Sequence, residues 1–183
     1  MLQRDAGVQS QALADAKGRA EGVAAPAQSE SSVTVIGENY LIFSLLDREL
    51  GIRAEHIQGV ERLADVTPIP HVASWVIGVI NLRGSIASVV DLRAFLEVEV
   101  IPHNPRTRLL SVRFNEMVIC LVVDSVSEMT SIPPQAIITD ARRAPIPQRL
   151  APFADGTALL GKRSIILLDA SRLLFSDKMQ HCT

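Results

Sequence analysis

From Val35 onward the chain is cut into short runs of apolar or alternating residues, each stopped by a turn residue after roughly ten positions or fewer, and no stretch holds a helical period for long. Residues 40–46, 50–53 and 57–63 are the first three runs, with Asp47-Arg48 as the first turn. In the third, Ile57, Gly59 and Glu61 alternate with Gln58, Val60 and Arg62, the pattern of a half-exposed strand. A proline-rich loop, Thr67-Pro68-Ile69-Pro70-His71, leads to runs at 76–80 and 86–90. Residues 108–114 put Leu110, Val112 and Phe114 on one face, and Asn115-Glu116 reads as a hairpin into the apolar run 117–123. That run continues, less apolar, to Ile132, where Pro133-Pro134 stops it. Short runs at 137–138, 158–161 and 164–168 close the series. A chain of this kind is expected to be all-β, a barrel or a sandwich. Hydrophobic residues make up 48% of it and aromatic residues only 4%, so the core must be aliphatic.

Two short helices are expected, one after Asp91 and one after Asp169. Ser88-Val89-Val90-Asp91-Leu92-Arg93-Ala94-Phe95-Leu96 is echoed by Ile166-Leu167-Leu168-Asp169-Ala170-Ser171-Arg172-Leu173-Leu174. In each, a buried strand ends at an aspartate whose carboxylate suits the free N–H groups of a helix start. These two aspartates are therefore read as caps rather than catalytic acids, and the echo points to two similar lobes in one chain.

The net charge of -2 and the scattered Lys and Arg leave no basic stripe for a nucleic-acid backbone. The longest apolar runs are strand-sized, well short of the roughly 18 residues of a membrane span, and no secretory signal is recognisable. Cys120 and Cys182 are far apart and read as reduced thiols, so a cytoplasmic protein is expected. No His, Cys or acid stands at metal-ligand spacing, and no phosphate loop or nucleophile elbow occurs. Asp91, Asp124 and Asp169 each end or interrupt an apolar run, and turn or capping roles explain them more simply than an enzyme would. Residues 1–35, rich in Ala, Gln, Ser and Gly, read as a disordered tail. Residues 36–177 then form the folded domain and 178–183 a C-terminal tail.

The stretch GVINLRGSIASVVDLR, from Gly78 to Arg93, sets two strand-like runs around a polar break at Asn81-Leu82-Arg83-Gly84. Arg83 carries a rigid fork of donors that pairs well with a carboxylate. It is either an internal anchor or a residue facing a partner. Trp75, just before this stretch, is read as core.

The longer span TPIPHVASWVIGVINLRGSIASVVDLR, together with YLIFSLLDRELGI, VICLVVDSVSEMTSIPP and GTALLGKRSIILLDASRLL, resembles the CheW-like family of bacterial chemosensory adaptors, over residues 40–175. The resemblance implies two intertwined five-stranded SH3-like β-barrels over a shared apolar core, with short helices, no catalytic activity and no cofactor. It implies coupling of the cytoplasmic tip of methyl-accepting chemoreceptors to the regulatory domain of the histidine kinase CheA, in the cytoplasm at membrane-associated receptor arrays and without membrane insertion. By position, Arg83 matches the family's receptor-coupling arginine, and Gly78 and Gly84 match the glycines that bracket it. Ile57, Val126 and Met129 fall at apolar groove positions, where a receptor's helical hairpin would lie. No residue is assigned to the kinase contact. Two departures stand out: Gly59 occupies the place of a common glutamate that pairs with the arginine, and Ser88 replaces a frequent proline. Glu61, two residues on and on the same strand face as Gly59, is a candidate substitute partner. The same fold would serve a pathway without swimming output, such as type IV pilus, gliding or developmental signalling.

Overall fold

The computed structural model describes residues 37–63, 66–140 and 142–181. The expected tail at 1–35 lies outside them, as does Cys182. Eleven strands occur among the described residues: β1 (Glu38–Leu45), β2 (Arg48–Arg53), β3 (Ile57–Arg62), β4 (Val76–Leu82), β5 (Ser85–Asp91), β6 (Arg108–Phe114), β7 (Met117–Val123), β8 (Ser125–Ile132), β9 (Ile137–Ile138), β10 (Ala154–Leu160) and β11 (Arg163–Leu168). They form a six-stranded sheet, β8-β1-β2-β11-β10-β9, and a five-stranded sheet, β3-β6-β7-β5-β4. The chain leaves the first sheet after β2, returns to it at β8 and so entwines the two lobes. The sixth strand, β9, is only two residues long.

Parity along each strand explains why so many runs are apolar throughout. Leu41, Phe43 and Leu45 of β1, Leu50 and Ile52 of β2, and Leu110 and Val112 of β6 face a large core shared by both sheets. The alternate residues face inward to each lobe's own cluster: Tyr40, Ile42, Ile165 and Leu167 in the six-stranded lobe, and Ala87, Val89, Leu109, Cys120 and Val122 in the five-stranded one. A strand buried on both faces loses the polar alternation of a half-exposed one. Trp75 is buried in the shared core and meets Phe95 edge-on at 5.2 Å between ring centroids.

The echo seen in the sequence is the visible part of a complete internal repeat. Residues 73–96 recur as 151–174 without a gap. Asp91 N donates to Trp75 O and Asp169 N to Phe153 O, both at 2.8 Å. The β4–β5 and β10–β11 hairpins each slip register at their first glycine, Gly78 and Gly156. The parallel pairings β5–β7 and β11–β2 match in register, so β6–β7 is the counterpart of β1–β2. Even β9 has its equivalent, since Ile138 pairs with Thr157 as Thr67 pairs with Val79. As expected, both aspartates cap short helices: Asp91 accepts from Arg93 N and Ala94 N before α1 (Leu92–Phe95), and Asp169 accepts from Ser171 N and Arg172 N before α2 (Ala170–Leu174).

Three expectations are corrected. The first hairpin turns at Leu46-Asp47, one residue early, and Arg48 already belongs to β2. The run from 117 to 132 is two strands in different sheets, separated at Asp124. A third helix, α3 (Asp177–Gln180), follows α2, capped by Ser176, and it carries Met179 into the shared core. Residues 178–180 are thus anchored to the domain by one buried side chain that no periodicity announces.

Asp124 is more than a turn. Its Oδ2 accepts from Leu46 N at 2.6 Å and from Arg93 Nη2, and its Oδ1 accepts from Arg93 Nε at 2.7 Å. Arg93 Nη1 donates to Glu99 O at 3.0 Å, and the Arg93 side chain is only 6% exposed. This pair ties the crossover between sheets to α1 and to the β1–β2 turn. It also satisfies the Leu46 N–H where Leu46 holds a positive φ of 59°, a conformation costly for a leucine.

Candidate partner-binding site

The Arg83 turn is built by its backbone. Leu82 pairs with Ser85, so Arg83 and Gly84 are the two central residues of the β4–β5 hairpin. Both have positive φ, 51° and 89°, as a type I′ turn requires. Asn81 Oδ1 accepts from Gly84 N at 2.8 Å and fixes the turn from within. Gly78 sits at the other end of β4 with φ 149°, where a Cβ would fall 2.2 Å from Thr67 O. It lets the loop after β3 hydrogen-bond to Val79 through Thr67, which seats β4.

The five-stranded sheet curls until its edge strands β3 and β4 face each other. Val60, Glu61, Leu82 and Arg83 line the open cleft between them. Arg83 Nη2 lies 3.9 Å from Glu61 Oε1, and the Arg83 side chain is 80% exposed. A long, exposed contact of this kind contributes little to stability. Arg83 is therefore a solvent-exposed side chain and not a buried internal anchor. Gly59 belongs to the same place: a Cβ built there would stand 3.3 Å from Glu61 Oε1 and 3.7 Å from Arg83 Nη2. Glu61 therefore fills the space that a larger residue at Gly59 would take.

Ile57 and Val126 turn out to be repeat equivalents. Each lies within the first two residues of an edge strand just after a crossover, opposite Val112 and Phe43 respectively, and each is followed by a bulge. Both are half-buried against the shared core. Met129 is further along β8, 60% exposed, and is the counterpart of Val60 in the cleft. Arg83, Glu61 and Gly59 thus come together, whereas the bulge after Ile57 turns that residue to the other face, toward the shared core, and Val126 and Met129 belong to the other sheet. Ser88 lies on the solvent face of β5, opposite Val79.

Two contributors escaped the sequence reading. In the sequence Asn81 reads only as part of the polar break, although an Asn three residues before a Gly is a recognisable turn device. Ile86 is 77% exposed beside the Arg83 turn, the most exposed of the large apolar side chains among the described residues. Its place in an alternating run concealed it, because the neighbouring Ala87 and Val89 take the inward face.

Cys120 sits on the inner side of the same lobe. Burial, helped by the Glu61 charge, pushes its thiol up to about 11. Only the thiolate is nucleophilic. In a Cys182→Ser background, Cys120 is expected to resist a disulfide reagent at pH 8 and to react fully only in denaturant. Rapid native labelling would show that this interior opens.

Residues 39–178 match the CheW-like domain family. The chain belongs to that family. It is 31% identical over 148 residues to the chemotaxis protein CheW of Klebsiella aerogenes, covering 79% of this chain and 86% of that one. It is 31% identical over 144 residues to protein FrzA of Myxococcus xanthus, covering 75% and 85%. With protein PilI of Pseudomonas aeruginosa it shares 33% over 90 residues, 49% of each. The scaffolding protein TtCheW of Thermoanaerobacter tengcongensis has the same fold, with a TM-score of 0.70 at 24% identity, covering 78% of this chain and 96% of that one. The two-lobed, all-β architecture expected from the motifs is therefore the family's own. Among the described residues no helix is long and apolar enough to cross a membrane.

Proposed function

We propose that this protein is a non-catalytic adaptor that couples the cytoplasmic tips of methyl-accepting chemoreceptors to the histidine kinase CheA in a membrane-associated signalling array. Family membership supports the adaptor role. The observation that carries the receptor face is the presentation of Arg83: an arginine locked in a left-handed turn, almost fully exposed, beside the uncovered apolar side chains of Val60 and Ile86. A fixed guanidinium with an apolar flank suits an amphipathic helix that offers a carboxylate. Glu61, held near but not bonded, keeps the fork oriented until a partner's acid displaces it. Ile57, Val126 and Met129 extend the apolar lining along the two edge strands. Each contact is small, and array geometry multiplies them.

Arg83→Glu is expected to weaken binding to a receptor signalling fragment by about tenfold or more, abolish receptor-dependent kinase activation and leave the thermal transition in place. A variant that couples like wild type, or one that loses its cooperative unfolding, defeats this assignment. The comparable likeness to FrzA and PilI favours a second reading, a scaffold of the same kind in a pathway without swimming output. Deletion of the gene, scored for swimming against surface motility, separates the two.

A further inference from the structure

Away from the Arg83 cleft, beside the β1–β2 hairpin, Leu45, Leu46, Leu50, Leu96, Val98 and Leu150 line a mostly apolar cavity of about 280 Å³. Arg48 and Arg149, both exposed, complete its lining. Their charges are poorly matched. Among the described residues Arg149 has no carboxylate within 4.0 Å, and Arg48 has only Asp47, at 4.0 Å and itself 87% exposed. Glu97, close enough to feel Arg149, is taken by Lys178 at 2.7 Å.

The internal repeat shows what the equivalent place in the other half accepts. Arg48 and Leu96 correspond to Met117 and Leu174. There the chain's own α3 is seated: Gln180 Nε2 donates to Leu174 O at 2.8 Å and lies 3.8 Å from the Met117 sulfur. Met179, next to it, is the buried anchor. In the first half, α1 is followed instead by the irregular stretch 97–107. The cavity beside Leu46 is therefore the open counterpart of a surface that the second half covers with a short amphipathic helix.

We propose that this cavity docks a short acidic amphipathic helix of a partner protein, which seats one aliphatic or methionine side chain among Leu45, Leu50, Leu96 and Val98 and sets carboxylates against Arg48 and Arg149. The Asp124 clamp supports it by holding Leu46 at the rim in its left-handed turn. The site is separate from the Arg83 cleft, so its partner binds without competing there.

The test uses full-length, methyl-labelled protein and two synthetic capped helical peptides. One carries Met at i and Leu at i+4 flanked by glutamates, and its twin has every Glu replaced by Lys. The glutamate peptide is expected to shift the methyl resonances of Leu46, Leu96 and Val98 saturably, and the lysine twin is not. Reversing both charges, Arg48→Glu with Arg149→Glu, should weaken the first peptide by about tenfold or more and confer binding of the second. Val98→Trp, which fills the cavity, should abolish both. The charge-reversal arm involves only exposed side chains and stands even if Val98→Trp destabilises the fold. Absence of saturable shifts, equal binding of the twins, indifference to charge reversal, or NOEs placing residues 1–35 of the same chain in the cavity would each overturn the proposal.

Discussion

Asp124→Ala is expected to lower the free energy of unfolding by about 3–5 kcal/mol, because it leaves the buried Arg93 guanidinium without its counter-charge. The loss exceeds that of an ordinary polar contact. Arg93 would keep only its bond to Glu99 O, and the Leu46 N–H would lose its acceptor in a strained turn. Three elements meet at this carboxylate, so the crossover between the sheets, α1 and the β1–β2 hairpin should loosen together. Urea unfolding followed through Trp75, the chain's single tryptophan, measures the change. A double variant, Arg93→Met with Asp124→Leu, should recover much of the stability, since a buried pair can often be exchanged for apolar packing. A single-variant effect below about 1 kcal/mol would mean that water reaches the pair and screens it.

Gly78→Ala is the second large effect, about 3 kcal/mol or more. Two penalties combine: φ 149° is a conformation L-residues rarely adopt, and the new methyl would stand 2.2 Å from Thr67 O. Relief requires expelling the loop that pairs with Val79 through Thr67, which then unseats β4 and the Arg83 turn. Gly84→Ala is the internal control. It also has positive φ, 89°, but meets nothing within 4 Å, so only the backbone term of about 1 kcal/mol remains. Thermal melts of the two variants should therefore separate clearly. Equal melting temperatures would show that the Thr67 loop yields freely and that Gly78 is needed for its dihedral alone.

The site was legible where its chemistry is local. Arg83 and Gly84 stand out as a charge and a glycine between strand-like runs, and Glu61 follows from the two-residue period of β3. Two features depended on distant partners. The 117–132 run looked continuous because Asp124 is a single polar residue in it. Only the meeting with Arg93 and Leu46 shows why the chain changes sheets there. The repeat was visible only around the two capping aspartates, because elsewhere the paired positions differ chemically, as Gly59 and Glu128 do, while the registers agree.

By itself the sequence determined most of the strands, the two aspartate-capped helices and the two-lobed organisation, since strand period, turn residues and helix caps act between near neighbours. The tertiary structure decided which apolar faces are shared, where the unmatched arginines lie, and which hairpins carry exposed anchors. Those outcomes depend on contacts between residues far apart in the chain, for which no local pattern provides a signal.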